Sequence, residues 1–177
     1  MSDTLIFPVA QQLLDCLCAA LPLDMAAAKV PAHCAFRPGE IVSADASVYE
    51  DLCCEGLAWV RIADIYPSAT DFPAPDTLTV VTGCGPMGWG VALEMGVMRC
   101  APTGSFETIP TDAEWLELQQ DIMNDAAAMR RAMCCMIAQY DPSSIAIGSW
   151  QPLPTTGGCA GGLWSISVQL PNDCQPC

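Results

Sequence analysis

A chain of 177 residues with 52% hydrophobic side chains is long enough for one domain with a true core and too apolar to stay disordered. Its 20 acids against 6 bases give a formal net charge of −14, and the bases (Lys29, Arg37, Arg61, Arg99, Arg130, Arg131) are scattered. That excludes a cationic face for gripping nucleic acid or an anionic membrane surface, and no apolar run is read as approaching the ~20 residues that cross a bilayer.

The N-terminal stretch carries Asp3 and no base ahead of an apolar segment that Gln11, Gln12 and Asp15 interrupt, so it predicts an ordinary helix rather than a secretory signal, and a chain that folds in a cytosol. That helix is expected from Leu5 to Leu21, with Val9, Leu13, Cys16, Leu17, Ala20 and Leu21 on one stripe and Pro22 ending it. Residues 38–56, rich in Ser, Asp, Gly and Glu, predict the longest loop. Leu57 to Tyr66 is β-branched and aromatic and predicts a strand. Leu78 to Thr82 predicts a brief strand before a turn at Gly83-Cys84-Gly85-Pro86. Trp89 to Arg99 predicts the longest strand, with Gly90 and Gly96 marking a bulge or close packing under a helix.

Thr111 and Glu114 have capping-box spacing. The long helix they open carries Trp115, Leu118, Ile122, Ala126, Met129, Met133 and Ile137 at three- and four-residue steps, acids early, and Arg130 and Arg131 late. Its acids Asp112, Glu117, Asp121 and Asp125, with Asn124, read as a solvated face. Met123, Met129, Met133 and Met136 read as core or interface filler. A terminal hairpin follows, from Ser144 through the tight connection Gly157-Gly158-Cys159-Ala160-Gly161-Gly162. In its second arm Trp164, Ile166, Val168 and Leu170 alternate with Ser165, Ser167 and Gln169, one face wet. The order helix, strands, helix, hairpin predicts an α+β fold, an antiparallel or mixed sheet with an N-terminal helix and one long helix packed on it. It is read as a single domain over 1–171 with a Cys-containing tail at 172–177.

Twelve cysteines conflict with a cytosolic chain unless they bind metal, act in redox chemistry or oxidise later. Cys16, Cys134 and Cys135 lie within helical patterns and read as apolar filler. Cys34, Cys53, Cys54, Cys84, Cys100 and Cys159 lie at turns or strand ends, where they can meet in space with a connectivity that spacing leaves open. A zinc or iron-sulfur site from Cys34, Cys53, Cys84, Cys100 and Cys159 is the minor reading, because only Cys174-Gln175-Pro176-Cys177 has the close-pair form. General acid-base chemistry has one histidine, His33, to draw on, and its neighbour Cys34 points to the other face of an extended strand. No catalytic, cofactor-binding or metal-ligating residue is assigned, no cofactor is expected, and the chain is read as a non-enzyme.

Several blocks resemble a known family: Cys53-Cys54-Glu55-Gly56-Leu57-Ala58-Trp59-Val60-Arg61, Ile65-Tyr66-Pro67-Ser68, Phe72-Pro73, Trp89-Gly90-Val91, Gly96-Val97-Met98-Arg99-Cys100, and Trp150-Gln151-Pro152-Leu153 with the Gly-rich turn. Together they resemble small virion proteins encoded beside head-tail connector genes in long-tailed phages of actinobacterial hosts, and the element order is similar to the tail terminator fold of siphophages. The resemblance implies a ring of copies, commonly sixfold, that caps the tail tube at the neck. Its implied partners are further copies of itself, the tail tube protein and the head-tail connector or stopper protein. DNA passes through without specific binding, no membrane is involved, and the implied location is the virion after assembly in host cytoplasm. A stopper or connector adaptor of the same neck is the close alternative, and a cysteine-rich metal-binding or redox protein the distant one. Trp59, Trp89, Trp150 and Trp164 are candidates for core or interface.

Overall fold

The computed structural model describes residues 3–39, 53–68, 71–75, 88–102, 109–156 and 158–171. Helix α1 (Ile6–Asp24) opens the chain. The Asp3 carboxylate accepts from the amides of Leu5, Ile6 and Phe7, which closes N–H groups that the helix itself leaves unpaired. Pro22 does not end α1 as expected but sits inside its last turn. Proline there removes one backbone bond, and the turn still completes to Asp24. Residues Val9, Ala10, Leu13, Leu14, Leu17, Ala20 and Leu21 are buried.

Against the expectation that no run would suffice, Ile6–Leu23 is apolar enough to cross a membrane by length and composition, with a mean hydropathy of 1.5. In this fold it is a core helix, cross-linked to two other elements.

The strands are β1 (His33–Phe36), β2 (Leu57–Ser68), β3 (Gly88–Cys100), β4 (Ile145–Thr156) and β5 (Cys159–Leu170), and helix α2 (Asp112–Ile137) lies between β3 and β4. They form one sheet in the order β1-β2-β3-β5-β4, with β1 parallel to β2 and every other pair antiparallel. Among the described residues the fold is therefore α+β, with a mixed sheet, an N-terminal helix and a long later helix, as the sequence predicts. The segment 78–82, the turn at 83–86, most of the predicted loop 38–56 and the tail 172–177 lie outside the described residues.

Period-two alternation along β3 and β5 sends Val91, Leu93, Met95, Val97, Ile166 and Val168 to the face that both helices cover. The helices run antiparallel: Gln12 meets Tyr140, Cys16 is bonded to Cys135, and Lys29 beyond the end of α1 reaches Asp121. On the other face Trp59 and Tyr66 lie over Gly96 and Gly90, their cross-strand partners, where any Cβ would overlap the rings. These glycines thus serve close packing, under aromatic rings of β2 rather than under a helix. The bulge falls on β2, between Ile62 and Asp64. Trp59 is fully buried on the face away from the helices, whereas Trp89, Trp150 and Trp164 are half-buried against the helix-side core.

The capping box of α2 forms: Thr111 Oγ1 accepts from the Glu114 amide at 3.3 Å, and Glu114 Oε2 accepts from the Thr111 amide at 2.7 Å. The buried face departs from the predicted stripe. Leu118, Asp125, Ala128, Met129, Ala132, Met133 and Met136 face inward, whereas Trp115 is 43% exposed. Leu118 rests on Ala101 and Ala160 at the ends of β3 and β5, so one turn earlier Trp115 has passed the end of the sheet.

Candidate functional site

Among the described residues, the most extended convergence of polar side chains lies where the end of α1, the approach to β1, the end of β3 and the first half of α2 meet. Arg99, near the end of β3, turns its guanidinium under α2 and binds both oxygens of Asp125, with Nε and Nη2 at 2.6 Å each. Its Nη1 donates to the backbone oxygen of Lys29 at 2.9 Å, and Nη2 also reaches Met25 Sδ at 3.1 Å. Asp125 is 1% exposed. Burial pushes its carboxyl above the ordinary value of 3.8, an effect that Arg99 only partly offsets. For Arg99, burial works against the charge, and the bonds and charge of Asp125 outweigh it, so its pKa is raised.

One turn away Lys29 Nζ bridges Glu117 at 2.8 Å and Asp121 at 3.0 Å, which raises the Lys29 pKa. The acids read as a solvated face are thus corrected in part. Asp121 and Asp125 point at cations carried by α1's exit and by β3, because a carboxylate can be buried only with a partner.

Next to this network a cleft of about 450 Å³ is lined by Cys54, Arg99, Cys100, Glu114, Glu117 and Asp121. Its cysteines are bonded to one another, Cys54 to Cys100. The neighbouring Cys53 is bonded to Cys159, which lies directly opposite Cys100 across the β3–β5 pair. A vicinal pair thus ties the turn before β2 to two adjacent strand ends. Two further disulfides hold the helices: Cys16–Cys135 joins α1 to α2, and Cys18–Cys34 joins α1 to β1.

Two cysteine readings are corrected. Cys16 and Cys135 are cross-links rather than apolar filler, since antiparallel packing brings their helix faces together. The zinc or iron-sulfur set does not assemble: Cys34 pairs with Cys18, Cys53 with Cys159, Cys100 with Cys54, and Cys84 lies outside the described residues. Among the described residues no group of three or more His, Cys, Asp or Glu is placed to hold a metal ion. Cys134 is an exposed thiol on α2. His33 contacts Glu55 at 2.9 Å with both side chains well exposed, and Cys34 beside it is bonded to Cys18.

The convergence of Arg99, Lys29, Asp121 and Asp125 was missed in the sequence. The signal was present: 118, 121, 125, 129, 132 and 136 form a three-four stripe in which two aspartates interrupt apolar residues, and such acids need cations in a chain that has six. The arrangement is a latch. Its donors and acceptors satisfy one another, and the adjoining sulfurs are covalently closed. No protein-family model and no curated protein matches this chain.

Proposed function

We propose that this protein is a non-enzymatic structural subunit of a phage neck, a tail terminator that assembles as a ring, caps the tail tube and meets the head-tail connector. The observation that carries the reading is the element order. Helix, strands, long helix and hairpin follow one another in the order that is similar to the tail terminator fold, and they build one mixed sheet with both helices on one face.

Two further features support it. Lys29, Arg61 and Arg99 are bound to carboxylates of the same chain, which leaves the acidic excess unbalanced and suits a channel wall from which DNA is repelled. Four disulfides across a sheet and two helices suit a body that persists outside a reducing cytosol, closing once the particle leaves the host.

The test is electron microscopy of particles carrying a labelled copy, with negative-stain images of the purified protein. Density in a single annular layer between capsid connector and tail tube, and free rings, are the expected results. Density on the connector side of that layer would assign the stopper role instead, and a chain that is absent from the neck and turns over a small molecule would end the proposal.

A further inference from the structure

From the edges of the sheet we infer how copies join: the outer edge of β4 in one copy docks head to tail on the outer edge of β2 in the next. The inference rests on the ring reading and gives it two named surfaces.

Two apolar rows cross the sheet without a break. Ile62, Leu93, Ile166 and Ile147 are successive cross-strand partners, and so are Ile65, Val91, Val168 and Ile145. The four central residues are completely buried, yet three of the four row ends are exposed, Ile62 at 36% and Ile65 at 45% on β2 and Ile147 at 47% on β4, while Ile145 is partly buried against the core. Large apolar residues at both ends of a row are half-made contacts.

The open stretches also coincide in register. Strand β1 covers Leu57 to Val60 of β2, and among the described residues no strand pairs with the outer edge beyond. On β4 the half aligned with that covered stretch carries Pro152 and Pro154, which offer no N–H. The half aligned with the open stretch, residues 145–149, has no proline. Since β2 and β4 run in opposite directions within the sheet, a neighbour in the same orientation sets its β2 antiparallel to this β4, Ile62 by Ile147 and Ile65 by Ile145.

Electrostatics selects the same surface. In a chain of net charge −14, residues 142–172 contain no Asp, Glu, Lys, Arg or His, so the β4–β5 hairpin is where a second acidic copy approaches with least repulsion. Bulges between Ile62 and Asp64 and between Ile147 and Trp150 keep the shared ladder short and leave the side-chain rows to supply the contact. Two different edges make a heterologous junction, the kind that closes into a ring.

The test compares the disulfide-intact wild type with Ile147→Glu and with Ile62→Glu/Ile65→Glu by light scattering after size exclusion, with circular dichroism as the check on folding. Leu116→Glu, at an exposed site on α2 away from both edges, serves as the control. Wild type and control assemble. Each edge variant associates about 100-fold more weakly, because a carboxylate now enters the junction. An equimolar mixture of the two edge variants forms a dimer and stops, since one intact β4 edge and one intact β2 edge remain between them. Assembly that survives both edge substitutions overturns the edge assignment and leaves the ring reading standing. A mixture that stays monomeric also overturns the assignment. A wild type that is monomeric at every concentration overturns the ring reading itself.

Discussion

Asp125 sits among Ala128, Met129 and Ala132 on the buried side of α2, and a carboxylate there is tolerable only because Arg99 enters with it and forms both of its bonds. The pair therefore acts more through what its loss would leave behind than through its own net worth. Asp125→Leu would leave the Arg99 guanidinium with neither the counter-charge nor the hydrogen-bond acceptors of Asp125, for a loss of about 3 kcal/mol in urea unfolding under non-reducing conditions. The double change Arg99→Met/Asp125→Leu, which removes both charges, should recover most of that loss; a single variant within about 0.5 kcal/mol of wild type would show that water reaches the site. The raised Asp125 pKa gives this pair a definite pH signature. Between 3.8 and its folded value the native state holds the proton more tightly than the unfolded chain does, so the contribution of this group falls as pH rises through that window. Acid lability must come from elsewhere.

Helix ends and turns supply it. Amides of Phe7 and its neighbours hold Asp3 below its ordinary pKa, the Thr111 amide and hydroxyl lower Glu114, and the Ser143 hydroxyl and amide lower Asp141. For a carboxylate with a lowered folded pKa the stabilisation is complete above the unfolded values, 3.8 for Asp and 4.5 for Glu, and is lost as pH falls through the folded values. Helical circular dichroism should therefore hold to about pH 4 and fall below it. In Asp3→Asn/Glu114→Gln the acid-dependent part should shrink, and an unchanged acid limb would place the sensitive groups outside the caps. The capping box was legible in advance because its partners are three residues apart and local geometry decides them. The inner face of α2 was legible only in part. Met129 and Met133 follow from the 3.6-residue period, but Trp115 is exposed because the sheet ends beneath Leu118, a tertiary fact absent from the helix's own pattern. Likewise the alternation of Ile166 and Val168 with Ser165 and Ser167 gave β5, while the pairing of Cys16 with Cys135 depends on two helix faces 119 residues apart in sequence.

At the scale of the whole molecule, covalent links and dispersed charge act in opposite directions. The Cys16–Cys135 bond closes a span of 119 residues, and losing so long a loop constraint costs about 4 kcal/mol on the chain-entropy account, so Cys16→Ala/Cys135→Ala should unfold well below wild type in urea. Both halves of Cys54–Cys100 are exposed, whereas Cys53 and Cys159 are buried, so stepwise reduction with alkylation and mass mapping should label Cys54 and Cys100 before Cys53 and Cys159. The acidic excess pushes the other way, since every copy repels the next. At low ionic strength that repulsion reaches tens of ångströms, and at about 0.1 M salt it is screened beyond roughly 10 Å. If copies meet through a charge-free hairpin and isoleucine rows, salt removes the opposing force and leaves the attractive one intact. Self-association measured by sedimentation should therefore strengthen on going from about 0.01 to 0.1 M sodium chloride. Weakening over the same range would mean that ion pairs hold the copies together, which would place the junction on a charged face and away from β4.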